Sequence, residues 1–194
     1  LLLALSEFKT GRYQEALGFI NQGESDGLNA AVLPLLRAWS LAAQGKADVT
    51  ALKDSPSLIY QAVLVADYTK DKSLLASLAK DYDFTRTPTP IGRLEDIAAI
   101  FARNGETAEA ISIYKTLQMA IPERSKTYTA AMESLNNGEA TAPAAQNATQ
   151  DTPQTALSDA LFDMARLLSS GYPDSARLFA QMSLFLNQDN DSSL

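Results

Sequence analysis

The sequence predicts an all-α fold, an α-solenoid of stacked antiparallel helix-turn-helix hairpins, and three observations carry the prediction. Apolar residues, mostly Ala and Leu, recur at helical spacing in short stretches along most of the chain. Brief Gly-containing or polar turns separate them, so successive helices must lie antiparallel to bury their stripes. Two turn-to-turn intervals, Gly11 to Gly45 and Asp71 to Gly105, are both 34 residues long. The best-formed unit runs from Leu94 to Pro122, two amphipathic helices joined by an Asn-Gly turn.

The first hairpin pairs a stripe of Leu2, Leu5 and Phe8 with one of Tyr13, Ala16, Leu17 and Ile20, broken at Thr10-Gly11-Arg12. Glu24 to Asn29 reads as a polar loop. Pro34 is then expected in the first turn of the next helix, where its missing N–H costs nothing. That helix carries Leu36, Trp39 and Ala43 to Gln44-Gly45. A short partner helix over Asp48–Lys53 follows, and Pro56 stops it. Leu58 to Tyr68 is apolar enough to suit a buried strand, but Asp71-Lys72-Ser73 leading into Leu74, Leu75, Leu78 and Ala79 argues for a helical hairpin closed by Tyr82 and Phe84. Thr85 to Pro90 reads as an extended connection because of its two prolines. Beyond the Leu94–Pro122 unit, Ser125 to Leu135 is one further helix.

The domain reading that follows is helical hairpins over 1–136, a flexible Ala/Thr/Pro/Asn linker over 137–154, and a further hairpin with a polar tail over 155–194. The linker has almost no large apolar residue and so cannot bury enough to order itself. Its Asn147-Ala148-Thr149 sequon is read as chance. The last hairpin, with a turn at Gly171-Tyr172-Pro173, is expected to stack on the same solenoid.

A 34-residue helix-turn-helix period resembles the tetratricopeptide repeat. That family places a small residue mid-way along its first helix, a Gly turn, an aromatic two residues later, then an Ala, a second aromatic and a Pro. Ala98, Gly105, Ala110, Tyr114 and Pro122 fall at those positions, with Thr107 in place of the first aromatic. Ala4, Gly11, Tyr13 and Ala16 match in the first unit, and Gly171 and Ala176 in the last. The units at Gly45 and Asp71 keep the period without the Ala signature. The last unit is also similar to tetratricopeptide-repeat proteins of bacterial envelopes, which favours periplasm or envelope over cytoplasm.

Composition bounds the function. The chain has 194 residues, of which 46% are hydrophobic and 20% charged, globular values. A net charge of −7 and a pI near 4.6 make nucleic acid a poor partner. The absence of Cys and His removes His- or Cys-based nucleophilic catalysis and the usual zinc sites. No Gly-x-Gly occurs to cradle a phosphate. No apolar run reaches the roughly 20 residues that span a bilayer, so no membrane insertion is expected within this segment. Leu1–Leu5 is followed at once by Glu7, Lys9 and a helical period, so it reads as a helix entered mid-element and the chain as a segment of something longer.

The expected function is therefore a non-enzymatic scaffold or adaptor, with no cofactor and no metal, binding a protein or peptide on the concave face of the solenoid. The alternative is an accessory domain of a larger enzyme, or a carboxylate-based enzyme. The family's register places Lys9, Leu35, Trp39, Gln61, Val65, Tyr68, Glu95 and Arg103 on or near the concave face. Packing between neighbouring hairpins is the favoured reading of Trp39 and Tyr68, and a solvated surface that of Lys9, Gln61, Glu95 and Arg103. No Lys has Asn four residues later, so the clamp that some of these proteins close on a partner's C-terminal carboxylates is not expected. Asp159 and Asp163, one helical turn apart, read as a solvated face and not as a catalytic pair.

Overall fold

The computed structural model describes residues 1–23, 27–86, 89–138 and 152–187, and these form helices and turns without a β-strand. The fold is all-α. The chain divides into two compact units, one made of Leu1–Leu52 with Gln150–Leu194 and the other of Lys53–Thr149.

The first unit contains α1 (Leu2–Lys9), α2 (Tyr13–Ile20) and α3 (Asn29–Ala42), with the short α4 (Thr50–Lys53) at its boundary. The second holds α5 (Ile59–Tyr68), α6 (Lys72–Asp81), α7 (Ile91–Asn104), α8 (Thr107–Ala120), a 3₁₀ turn at Pro122–Arg124 and α9 (Ser125–Asn136). Then α10 (Pro153–Leu168) and α11 (Pro173–Leu186) return to the first unit, where α10 packs on α3. The last hairpin, expected to stack on the same solenoid, packs on α3, so its stripe of Leu157, Leu161 and Ala165 joins the core around Leu35, Leu36 and Trp39, far upstream in sequence.

Four of the turns share one hydrogen-bonding scheme, in which a left-handed residue closes the helix. The N–H of Gly11 donates to the Phe8 carbonyl (3.0 Å) and that of Arg12 to Glu7 (2.9 Å). Gly45 and Lys46 repeat the pair on Ala42 and Leu41, and Gly105 and Glu106 on Ala102 and Phe101. The fourth instance is Lys70 and Asp71 on Asp67 and Ala66 (3.1 and 2.9 Å). Each bond satisfies a carbonyl that the helix end would otherwise leave open. Lys70, at φ 59°, thus holds the place that glycine holds elsewhere, and Asp71 is the N-cap of α6, its carboxylate accepting from the Leu74 N–H (2.9 Å). The sequence alignment of Asp71 with Gly105 is therefore one residue out of register. Structurally, Gly45 to Lys70 spans 25 residues and Lys70 to Gly105 spans 35.

A lysine held at positive φ is strained by about 1 kcal/mol relative to glycine. Lys70→Gly is expected to raise the unfolding free energy by about 0.5–1 kcal/mol in urea denaturation, and Gly105→Ala to lower it by about 1 kcal/mol. Nothing lies within 4 Å of a Cβ built on Gly105, so its cost is backbone strain alone. A loss of stability in Lys70→Gly would show that its side chain contributes more than the strain takes away.

Other boundaries shift for local reasons. Pro34 is interior to α3, because that helix begins at Asn29 and not beside the proline. There it forgoes the bond to the Ala30 carbonyl. The expected linker ends earlier than residue 154: Thr152 caps α10, its Oγ1 accepting from the Thr155 N–H (3.1 Å), and Pro153 takes the first turn. Residues 139–151 of that linker, with the sequon, lie outside the described residues, as do 24–26, 87–88 and the tail from 188. Phe84 lies beyond the end of α6 and packs edge-on against Phe101 of α7 (5.5 Å between centroids).

Candidate functional site

In the second unit, α7 is the helix to which polar residues of its neighbours converge. Tyr60 of α5 donates from its hydroxyl to Asp96 Oδ2 (2.8 Å), and Arg93 reaches the same carboxylate (3.4 Å) while lying over the Tyr60 ring at 4.9 Å. The other flank mirrors this. Tyr128 of α9 donates to Glu95 Oε1, Arg124 pairs with the same oxygen (2.5 Å), and its guanidinium sits 5.6 Å from the Tyr128 centroid. Two Tyr–carboxylate–Arg triads thus fasten α7 to α5 and α9.

At the C-terminal end of α7, Arg103 makes a two-point pair with the carboxylate of Asp67, and Asn104 Nδ2 donates to Asp67 Oδ1 (3.0 Å) and the Ile100 carbonyl (2.9 Å). Asp67 is buried, and its carboxylate is compensated on both oxygens. A shallow opening of about 270 Å³ lies beside Arg103, bounded by Lys72, Asn104, Thr107 and Leu135.

Burial pushes the phenols of Tyr60, Tyr114 and Tyr128 upward. Tyr60 is raised above the ordinary tyrosine value. Tyr114 reaches about 12 through burial, and so does Tyr128, with its bond to Glu95 adding to the effect. These hydroxyls stay protonated through the neutral range, and those of Tyr60 and Tyr128 donate to Asp96 and Glu95. The Tyr114 hydroxyl, buried with its ring 6.1 Å from that of Tyr128, has no hydrogen-bond partner among the described residues.

In the first unit, α1, the residue before α3, and α11 enclose an apolar groove of about 460 Å³. Leu2, Leu5, Leu28, Leu178, Met182 and Phe185 shape it. Leu2 is 76% exposed, Leu178 49% and Phe185 42%. On α11 the groove residues Leu178, Gln181, Met182 and Phe185 stand at i, i+3, i+4 and i+7, with Leu178, Gln181 and Phe185 exposed and Met182 buried at the groove floor. Lys9 lies at its edge, its ammonium 4.2 Å from the Phe185 ring centroid.

The eight residues expected on a concave face separate into two sets. Leu35, Trp39 and Val65 are fully buried and Gln61 is 4% exposed, so they pack the interior and present no surface to a partner. Lys9, Tyr68, Glu95 and Arg103 are half-buried. Of these, Lys9 is drawn onto Phe185, while Glu95 and Arg103 are held in the pairs just described. The correction has a simple cause: helical spacing shows that a stripe shares one face, and only packing decides whether a neighbouring helix or solvent covers it. The groove residues went unnoticed because α11 is apolar on two faces. Ala176, Phe179, Met182 and Leu186 are buried, whereas Leu178, Leu184 and Phe185 form a second, exposed set.

Among the described residues no three Asp or Glu side chains converge to hold a metal, and no helix is long and apolar enough to cross a membrane. Fold and surface together define an all-α protein of helical hairpins with an open apolar groove. Comparison with known protein families, curated proteins and solved structures gives no match.

Proposed function

We propose that the chain is a non-enzymatic scaffold, built as degenerate tetratricopeptide-like hairpins, that binds a protein partner. The observation that carries this reading is the groove on the first unit, where large apolar side chains stay in water around an open depression. Side chains such as Leu2 and Phe185 would contribute more to stability if buried, so leaving several together in water favours an interaction surface. The tight helix ends of the first unit, at Gly11 and Gly45, give such a surface a rigid support. Seen this way, partner binding falls to the groove, with Lys9 at its edge, and the α7 residues hold the scaffold together.

The test is affinity capture from the source cell's extract, comparing the wild type with Leu178→Glu and Phe185→Glu variants whose circular dichroism is unchanged. The wild type is expected to retain a defined set of proteins that both variants lose. Retention of the same set by all three proteins would overturn the assignment of the groove as the binding surface.

A further inference from the structure

We infer that Asn137, at the closing end of α9, is a modification site: it deamidates spontaneously to isoaspartate, while the fold shields the same motif at Asn104. The inference is independent of any partner. Asn-Gly is the sequence most open to this reaction, because a glycine amide carries no side chain to hinder its attack on the preceding carboxamide. The chain holds Asn-Gly twice, and Glu follows each time: Asn104-Gly105-Glu106 and Asn137-Gly138-Glu139. Local sequence therefore gives the two asparagines similar reactivity. Nothing lies within 4 Å of a Cβ built on either glycine, so crowding does not separate them either. Hydrogen bonding does.

The chemistry needs only water. Hydroxide takes the proton of the glycine N–H, and the nitrogen attacks the asparagine Cγ. The bond from Cγ to the carboxamide nitrogen breaks, ammonia departs with a proton from water, and a cyclic succinimide remains. Water then opens the ring. Opening at Cγ gives aspartate, and opening at the backbone carbonyl gives isoaspartate, whose main chain runs on through the former side chain. Overall one water is consumed and one ammonia released.

At Asn104 both reacting groups are tied. Its Nδ2 donates to Asp67 Oδ1 (3.0 Å) and to the Ile100 carbonyl (2.9 Å). The Gly105 and Glu106 N–H groups are held on Ala102 and Phe101 (3.3 and 3.0 Å). The Asn104–Gly105 peptide therefore cannot turn toward Cγ without opening the end of α7. At Asn137 the side chain is exposed and makes no hydrogen bond among the described residues. Its nucleophile, the Gly138 N–H, is held by a bond to the Leu135 carbonyl (3.1 Å) in the last turn of α9, where a helix opens most readily.

The product also acts on the helix. The Asn137 N–H reaches the Glu133 and Ser134 carbonyls, so conversion sets a carboxylate at the negative end of the α9 dipole. Isoaspartate adds a carbon to the main chain and carries Gly138 away from Leu135. The last turn of α9 then opens.

The test incubates the full chain beside two synthetic peptides, of residues 100–109 and 133–142, in mildly alkaline buffer. Peptide mapping by mass spectrometry follows aspartate and isoaspartate at each site. A net hydrogen bond slows the reaction by roughly fivefold. With the one bond named over Gly138, Asn137 is expected to convert within about tenfold of its peptide. With the four bonds named around Asn104, that site is expected to lag its peptide by about a hundredfold or more. In urea that unfolds the chain, both sites should reach their peptide rates. The purified isoaspartate form should exchange amide hydrogens at least about tenfold faster over the last turn of α9, with the end of α7 unchanged. Conversion at Asn137 as slow as at Asn104 in the folded chain would overturn the proposal. So would a difference that persists in urea, which would trace it to the neighbouring Arg103 and Asn136 and not to the fold. Unchanged exchange in the isoaspartate form would overturn the opening of α9.

Discussion

Replacing Arg103 by alanine is expected to cost about 3 kcal/mol of unfolding free energy, the low end of what breaking a buried pair costs. The size follows from the asymmetry of the pair. Asp67 is 4% exposed, so removing its cation leaves a charge in the interior of the second unit with Asn104 as its remaining donor among those described here. Arg103 is about one-fifth exposed, and that solvent contact keeps the value from rising further. Replacing Asp67 and Arg103 together by leucine and methionine is expected to recover most of the loss, because no charge is then stranded. Urea denaturation of the single and double variants measures both quantities. A loss below about 1 kcal/mol in Arg103→Ala would mean that water reaches Asp67 and screens it as at an exposed site.

Trp39→Ala is expected to destabilise the first unit by about 3–5 kcal/mol, the range for a large aromatic removed from a close-packed core. Trp39 is fully buried on α3, the helix that receives α10. The cavity would open where α3 receives α10, so the variant should also loosen α10 and α11. Far-UV circular dichroism during denaturation reads the loss, since the substitution removes the chain's one tryptophan. In the wild type that indole should emit at short wavelength and resist an aqueous quencher. A change under about 1 kcal/mol, or ready quenching, would place Trp39 at a surface and return it to the partner-binding candidates.

How much was legible in the sequence depended on how local the physics is. The helices read from apolar spacing are present, including the Leu58–Tyr68 stretch, whose Ile and Val equally suited a strand. The stop signals at Gly11, Gly45 and Gly105 act through backbone conformation at single residues and could be read directly. Lys70 could not, because its side chain does not announce a left-handed conformation; the geometry of the helix end imposes it. Asp67 and Arg103 lie 36 residues apart and become partners only when α5 and α7 pack. Glu95 was visible as a candidate, but not the tyrosine and arginine that occupy it.

The sequence by itself determined the all-α class, the hairpins and their turns, since helical period, capping and glycine φ are properties of a few neighbouring residues. Only the tertiary structure decided which apolar stripe is core and which is groove, that the last hairpin packs on α3, and that Leu35, Trp39, Gln61 and Val65 are interior. The reason is that burial belongs to a pair of surfaces. A stripe of leucines specifies that something must cover it, and the partner element, within this chain or outside it, is chosen by contacts between residues remote in sequence.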